Sequence, residues 1–426
     1  MIARLLGTSG WQRLLSAAVL LTAAVAHNGY AETAFVRSPL HPLLGSKAAV
    51  WAQGGPVNVQ QGAQQAPVAE VQGEQGSQGE QGEQGKAASA LTSEKSRKVS
   101  RTFKVSANQP YVLETRYGRV QINTWSRNEI RTDAEVITHA DTDQKAQQLQ
   151  DMIEVQMTPN DAETGAVAVR SKFGAMPHEC WSRRRLYEVN YTVWLPKNTP
   201  LRVYNTFGDI SISGDLTGPT QLAVEYGSLR TGRLDGAQNL LRVGNGQAAV
   251  AFVRKASIDA SYSKLRLTEG VLVDLRNNYS DIDMGTVQDL TVHSKYGDVA
   301  LGTVRNLRGS SGFSTFSIDK INDRLDMKVQ YCPSFEVRNT GKNFRQINLD
   351  GGYSTILLNF PDGAGFNFDV NTDHGKLLVD KKLIQVQSEE SSASSSDMQG
   401  KFGGVVAKNA GNVNIKVRYG NVRFNR

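Results

Sequence analysis

The sequence has little of what disulfide-rich domains and most enzymes depend on. Only two of its 426 residues are cysteines, Cys180 and Cys332, and 12 are prolines. Two isolated cysteines exclude a C-x-x-C metal site and a disulfide-rich scaffold. The sequence also contains no G-x-S-x-G elbow, P-loop or H-E-x-x-H helix, which are the motifs of hydrolase, nucleotide and zinc chemistry. We therefore predict a protein that is not an enzyme, with no cofactor and no metal.

Long apolar runs are equally scarce. One such run, residues 14–25, follows Arg4 and Arg13 and ends in the A-x-A pattern Ala24-Val25-Ala26. These features are typical of a secretory signal peptide, which we predict over residues 1–26, with an uncleaved anchor as the alternative. No later stretch offers the roughly 20 apolar residues of a membrane-spanning helix. The mature chain is thus predicted to be exported, to the periplasm, cell surface or extracellular space, without a transmembrane segment.

Charge of one sign is not concentrated either. The formal net charge is +7 and the pI is about 9.2, a modest excess that would attract anionic partners weakly. No basic motif interleaved with aromatic residues is present, so we expect no nucleic-acid partner.

Residues 27–98 lack apolar periodicity and are rich in Gln, Gly, Ala, Glu and Ser. This composition predicts a disordered Gln/Gly-rich tether, although glycine at every third position in residues 73–85 leaves a short collagen-like segment as an alternative.

The rest of the sequence, residues 99–426, repeats one pattern. In residues 290–301, LTVHSKYGDVAL, apolar residues alternate as far as Tyr296 and change phase after Gly297-Asp298. Side chains alternate between the two faces of a strand, so a change of phase at glycine indicates a corner between two strands. The same pattern surrounds Tyr226, Tyr262 and Tyr279. Each repeat therefore predicts two short strands and two turns.

The spacing of the corner aromatics indicates how the repeats assemble. One constant interval separates Tyr262, Tyr279, Tyr296 and Phe313, and a slightly longer one separates Phe207, Tyr226 and Asn245. A fixed period near 20 is typical of solenoids. We predict an all-β, single-stack parallel β-solenoid (β-helix) of about 17–21-residue coils, with an antiparallel sandwich as the alternative. The corner aromatics would form a ladder in the core, interrupted at Asn245, and His374 would take a core ladder position too.

Three segments depart from the repeat. Residues 141–151 predict one short capping helix near the N-terminal end, with Asp141 as its N-cap and Gln144 completing a capping box. Residues 177–185 and 388–404 predict loop insertions, the second mobile. Cys180 and Cys332 would lie about seven or eight coils apart, roughly 35 Å at the strand spacing, which argues against a disulfide between them.

Two groups of residues are candidate sites. Trp181, with Arg183, Arg184 and Arg185, would form a ligand-contacting loop for an anion or a sugar, although a solvated basic loop is the favoured interpretation. Asp281 and Asp298 occupy equivalent corners of neighbouring coils, about 5 Å apart, which is the separation of a retaining glycosidase pair. Aspartate is also an ordinary turn residue, and we favour that structural interpretation.

The strand pattern, with YGDVALGTV, YSDIDMGTV and YGNVRF, resembles a bacterial family of β-strand-repeat candidate adhesins of unknown function. The resemblance covers residues 99–426 and implies an exported β-solenoid at the cell envelope, with no catalytic residues to transfer. We therefore expect a non-enzymatic adhesin or scaffold that binds envelope polysaccharide or another surface protein. The alternatives are a β-helix enzyme that degrades polysaccharide and a periplasmic sensor or assembly factor.

Overall fold

The computed structural model describes residues 93–176, 178–180, 186–403, 406 and 410–426. Several predictions concern residues outside the described ranges. These are the signal peptide, residues 27–92 of the tether, and the loop residues Trp181, Arg183, Arg184 and Arg185. The first strand begins at Ser93, a few residues before the predicted start of the folded region at residue 99. Alternating polar and apolar residues then continue almost unbroken to the C-terminus, and β-strands follow them.

The N-terminal region combines antiparallel and parallel strand pairs. Strand β4 pairs antiparallel with both β1 and β7, and β5 pairs antiparallel with β6. Strand β2 forms a parallel pair with β6, and β3 forms one with β7. The elements are β1 (Ser93–Lys104), β2 (Tyr111–Tyr117), β3 (Val120–Trp125), β4 (Glu129–Ala140), α1 (Asp143–Asp151), β5 (Ile153–Thr158), β6 (Val167–Phe173), a 3-10 turn (His178–Cys180) and β7 (Tyr187–Pro196).

The middle of the molecule pairs its strands in parallel at a nearly constant separation along the chain. Thr220 pairs with Asn239, and Lys264 pairs with Asp281, so strands separated by a similar length of chain lie side by side. These parallel pairs form two columns of strands, which meet at the corners. The strands are β8 (Leu201–Phe207), β9 (Ile210–Ser213), β10 (Thr220–Glu225), β11 (Ser228–Leu234), β12 (Asn239–Gly244), β13 (Gln247–Ser261), β14 (Lys264–Asn278) and the long β15 (Asp281–Gln330).

The C-terminal region does not follow the order of the sequence. Strand β23 lies between β17 and β19, with parallel pairs on both sides. A hairpin of β21 and β22 pairs antiparallel with β19. The elements are β16 (Phe335–Val337), β17 (Gln346–Gly352), β18 (Ile356–Asn359), β19 (Phe366–Asp373), β20 (Leu377–Leu378), a 3-10 turn (Lys381–Leu383), β21 (Ile384–Ser391), β22 (Ser395–Phe402), β23 (Gly411–Arg418) and β24 (Val422–Asn425).

Two predictions about architecture need correction here. The protein is all-β as predicted, but its sheet is mixed, because antiparallel strands form both ends of it. The predicted mobile loop at residues 388–404 is largely the β21–β22 hairpin. Serine-rich composition misled the prediction: Ser395 to Phe402 alternate buried and more exposed side chains, and pairing with two neighbouring strands outweighs a weak intrinsic strand preference.

The core lies between the two strand columns. Leu265, Leu267, Val273 and Leu275 are almost completely buried, while exposed residues alternate with them along the strand. Burial of each such side chain contributes about 1.5–3 kcal/mol, and an isolated pair of short strands has no partner surface for it. Packing of the two strand columns against each other is therefore what makes the core possible.

Helix α1 packs against β1, β4 and β5, and its buried residues include Ala146 and Leu149. Thr142 rather than Asp141 is its N-cap, and the Thr142 hydroxyl accepts a hydrogen bond from the Lys145 backbone N–H at 3.4 Å. Asp141 instead accepts from the Lys145 ammonium group at 2.8 Å. Because the antiparallel strands β1 and β5 complete this end of the sheet, the helix supports it from the side. Lysine and arginine along β1 disfavour further edge pairing.

Candidate binding surface: an exposed aromatic ladder

Aromatic residues at the strand corners form one continuous row on the surface of the protein. The ring centroids of successive members are 4.4–5.2 Å apart, and neighbouring planes differ by 1–23°. We call this row the ladder; its members, in spatial order, are Tyr262, Tyr279, Tyr296, Phe313, Tyr331, Tyr353, Tyr419 and His374. At the strand spacing, its seven steps span roughly 34 Å.

The corner backbone explains why the rings align. Every ladder residue has a positive φ, between 50° and 59°, a left-handed conformation that costs a non-glycine residue about 1 kcal/mol or more. Hydrogen bonds to the next corner offset that cost: the Tyr279 N–H donates to the Lys295 carbonyl oxygen at 2.9 Å. Neighbouring backbones are also in close contact, since a Cβ added to Gly297 (φ +114°) would lie 2.2 Å from the Ser280 carbonyl oxygen.

The rings point outward, which corrects the prediction that they lie in the core. Exposed fractions range from 37% for Tyr296 to 60% for Tyr262, and the His374 side chain, predicted to be buried, is 51% exposed. At a positive-φ corner the chain turns away from its own side chain, so the residue that marks the corner projects from it. The apolar alternation continues on either side of each corner. The sequence pattern alone therefore did not reveal that the corner side chain points outward.

Stacking also affects the phenol groups. Partial desolvation between neighbouring rings, together with the nearby Tyr296 hydroxyl, raises the pKa of Tyr279. The ladder presents hydroxyl groups and the edges of rings, while most ring faces are covered by the next ring. A ring edge is the electropositive part of an aromatic side chain, so the surface is both apolar and able to form hydrogen bonds.

A second, shorter stack lies towards the N-terminus. Tyr117, Phe207 and Tyr226 stack at 5.2 Å per step, and Phe173 and Tyr187 contact Tyr117 edge-on. Burial, more than the neighbouring Tyr117, raises the pKa of Tyr187. Asn245 separates this stack from the ladder, at the position where the sequence predicted an interruption.

The predicted corner carboxylates lie beside this surface. Asp281 and Asp298 are both exposed, and Asp281 pairs in register with Lys264. Asp209 lies at an equivalent corner, and its carboxylate accepts hydrogen bonds from the Ser228 N–H at 2.9 Å and the Ser228 hydroxyl at 2.6 Å in the neighbouring corner. For Asp281 and Asp298 the favoured structural interpretation stays a prediction, and a catalytic carboxylate pair stays its alternative.

The sequence missed one member of the ladder. Tyr331 stacks between Phe313 at 4.7 Å and Tyr353 at 5.0 Å, but it precedes Cys332, where the other ladder residues precede glycine or serine, and it breaks the regular period of the corner aromatics. Cys332 is buried, as is Cys180, and the two are not joined by a disulfide.

Within the described residues, no cluster of three or more His, Cys, Asp or Glu could hold a metal ion. Over the same residues, no helix has the length and apolar character to span a bilayer.

Comparison with known proteins yields weak structural similarities. No family model and no curated protein matches the chain. Solved structures with some similarity include a candidate cell adhesion protein of Clostridium sporogenes (10% identity, TM-score 0.17, covering 78% of this chain and 99% of that one). A candidate adhesin of Bacteroides fragilis is 9% identical (TM-score 0.22; 77% and 97% covered). One of Parabacteroides merdae is also 9% identical (TM-score 0.23; 78% and 97%).

Proposed function

We propose that residues 99–426 form a parallel β-solenoid, closed by antiparallel strands at its ends, that acts as an exported, non-enzymatic adhesin or scaffold at the cell envelope. The ladder is its binding surface, and an envelope polysaccharide is its partner. The regular register of the middle strands supports the solenoid, since each repeat adds one strand to each column.

The exposure of the ladder is the observation that carries the proposal. Seven of its eight members are large apolar side chains with 37–60% of their surface exposed, in one continuous row. Contiguous exposed apolar surface of this kind typically marks an interaction site. Because hydroxyl groups recur along the same row, the surface matches a polymer that alternates C–H faces with hydroxyl groups, as a polysaccharide chain does.

The setting of the corner carboxylates supports a non-catalytic role. The general acid of a glycosidase typically lies in an enclosing, apolar pocket. Asp281 and Asp298 are exposed on the surface next to the ladder, where water surrounds them. Binding without bond cleavage is therefore the activity that this arrangement favours.

Sedimentation of the mature chain with insoluble chitin, cellulose and peptidoglycan tests the proposal. We expect binding to at least one of them, reduced at least fivefold in the Tyr296→Ser/Tyr331→Ser double variant. Leu272→Ser is a matched control, because Leu272 is an exposed apolar side chain (40%) outside the ladder. Equal binding by the double variant and the control would contradict a role for the ladder. Release of reducing ends during the assay would contradict the absence of catalysis. Binding only to an envelope protein would mean that the partner is a protein and not a polysaccharide.

A further inference from the structure

We propose that the interruption of the aromatic row at Asn245 is a subsite that holds one pyranose ring between Tyr226 and Tyr262. The proposal rests on the proposed function of the ladder and makes it specific. At this subsite the protein would contact both faces of one sugar ring, whereas the rest of the ladder would contact the side of a polysaccharide chain.

Asn245 occupies a ladder position in every respect except its side chain. Its φ of 50° matches the 55° of Tyr226 and the 50° of Tyr262. The backbone N–H groups of all three donate to a carbonyl oxygen of the following corner at 3.0 Å. The backbone therefore continues through the interruption without a break, and only a ring is missing.

The missing ring leaves two aromatic faces opposite each other. Elsewhere in the row, both faces of an interior ring are covered by neighbours. Tyr226 stacks on Phe207 at 5.2 Å, and Tyr262 stacks on Tyr279 at 5.0 Å, so their other faces are turned towards Asn245. Tyr262 accordingly has the largest exposed fraction in the ladder, 60%.

The width of the interruption suits a single ring. Two steps at the strand spacing place the rings of Tyr226 and Tyr262 about 10 Å apart. A ring midway between them would lie about 5 Å from each, the separation that successive ladder members adopt. A saturated pyranose ring, which is thicker than an aromatic ring because of its axial C–H bonds, fits this spacing.

A surface depression borders the interruption on one side. Its volume is about 710 Å³, and Asn245, Tyr262 and Tyr279 are among the residues that line it. Gly246 is required by packing, since an added Cβ would lie 2.0 Å from the Gly227 carbonyl oxygen. Gly244 is not, because its nearest neighbour would be 3.6 Å away. The glycine at position 244 therefore keeps one side of the interruption open where the fold would accept a larger residue.

Polar groups around the depression favour a sugar over the aromatic side chain of a protein partner. Asn245, Gln247, Lys264 and Asp281 line it, and together they offer amide, ammonium and carboxylate groups. A pyranose ring needs both donors and acceptors around its rim for its hydroxyl groups. An inserted tyrosine or tryptophan would leave most of these groups without a use.

Calorimetric titration of the mature chain with hexasaccharides of chitin and of cellulose tests the subsite. The Asn245→Tyr variant would complete the row, and its fold is safeguarded because tyrosine occupies the same backbone conformation at neighbouring corners. We expect Asn245→Tyr to weaken binding at least tenfold with an unchanged or higher thermal midpoint. The control Leu272→Tyr adds the same ring at an exposed position (40%) outside the row, and we expect it to retain the affinity of the natural chain.

Several outcomes would overturn the subsite: no binding of either hexasaccharide, undiminished binding by Asn245→Tyr, or an equal loss in Leu272→Tyr. Binding of a tryptophan-containing peptide, but no sugar, at a site that Asn245→Tyr blocks would assign the interruption to a protein partner instead. The ladder is tested separately. If Tyr296→Ser/Tyr331→Ser still sediments with polysaccharide while Asn245→Tyr loses the hexasaccharide, the ladder proposal fails and the subsite stands; the reverse pattern overturns the subsite alone.

Discussion

The middle of the molecule and its C-terminal end build the same ladder by different routes. Tyr279 and Tyr296 are one short repeat apart in the sequence, and their ring centroids are 4.4 Å apart. Tyr353 and Tyr419 are separated by a chain segment several times as long, which includes β19 and the β21–β22 hairpin. Their ring centroids are nevertheless only 4.7 Å apart. Strand register and corner conformation therefore determine stacking, and the length of the connecting segment does not.

The two regions differ in what fills the core. Between residues 247 and 307 the buried apolar side chains are mostly Leu, Val, Ile, Met and Ala. At the C-terminal end, buried phenylalanines form one contact cluster: Phe344, Phe360, Phe366, Phe402 and Phe424. A strand in the middle region has a parallel neighbour on each side, whereas the C-terminal strands lie beside a hairpin that pairs antiparallel with β19. Large rings fill the less regular space beside this hairpin with few residues, so the difference in composition follows from the position in the sheet.

The largest expected effect concerns that phenylalanine cluster. Phe366 is fully buried, with its ring centroid 4.3 Å from that of Phe360 and 4.7 Å from that of Phe402. We expect Phe366→Ala to lower the free energy of unfolding by about 4–5 kcal/mol, against about 3 kcal/mol for Leu275→Ala in the middle region. Urea unfolding measures both, and hydrogen exchange should show faster exchange confined to the C-terminal strands in Phe366→Ala. A smaller loss for Phe366→Ala than for Leu275→Ala would contradict the terminal role of the cluster.

An intermediate effect is expected in the ladder, where it should be the same in both regions. Tyr279→Ala and Tyr353→Ala each remove two stacked pairs, worth about 0.5–1.5 kcal/mol apiece, from half-exposed positions. We expect each to cost about 1–2 kcal/mol in urea unfolding, well below a core substitution. Tyr279→Phe keeps the ring and should stay within about 0.5 kcal/mol of the natural chain. A loss at Tyr279 several times that at Tyr353 would mean that the sequence period matters after all.

The smallest effect concerns an ion pair that joins the two regions. Asp323 in β15 accepts hydrogen bonds from the Arg345 guanidinium group, which directly precedes β17, and these bonds hold the pKa of Asp323 below its usual range. A carboxylate with a lowered folded-state pKa stabilises the fold above its unfolded pKa of about 4, and the contribution disappears as the pH falls below that value.

Arg345→Gln should therefore lower the thermal midpoint at pH 7, by less than Tyr353→Ala does, and the difference from the natural chain should shrink as the pH falls from about 4 towards 2. Thermal unfolding across this pH range measures it. The matched control is Arg338→Gln, since Arg338 pairs with Asp319 at 2.8 Å in a largely exposed setting and should contribute little at any pH. A constant difference for Arg345→Gln at all pH values would exclude the titration of Asp323 as its cause.

Local pattern predicted much of this architecture. The alternation around Tyr279 and Tyr296 correctly predicted strands, corners and a row of aromatics interrupted at Asn245, because strand alternation and corner residues are local properties. Predictions failed where neighbours distant in sequence decide the outcome. Residues 388–404 became largely strands because β19 supplies a partner edge, and Tyr331 joined the ladder although it lacks the usual spacing.

By itself, the sequence determined the all-β character, the alternation of paired strands and the position of most corners, since these depend on side-chain periodicity within a single repeat. Only the tertiary structure decided that the corner rings face solvent, that β23 inserts between β17 and β19, and that antiparallel strands complete both ends. A positive φ turns a side chain outward without changing the surrounding apolar pattern. The pairing of a strand depends on which edge is free when the chain returns, and periodicity within a repeat carries no information about that edge.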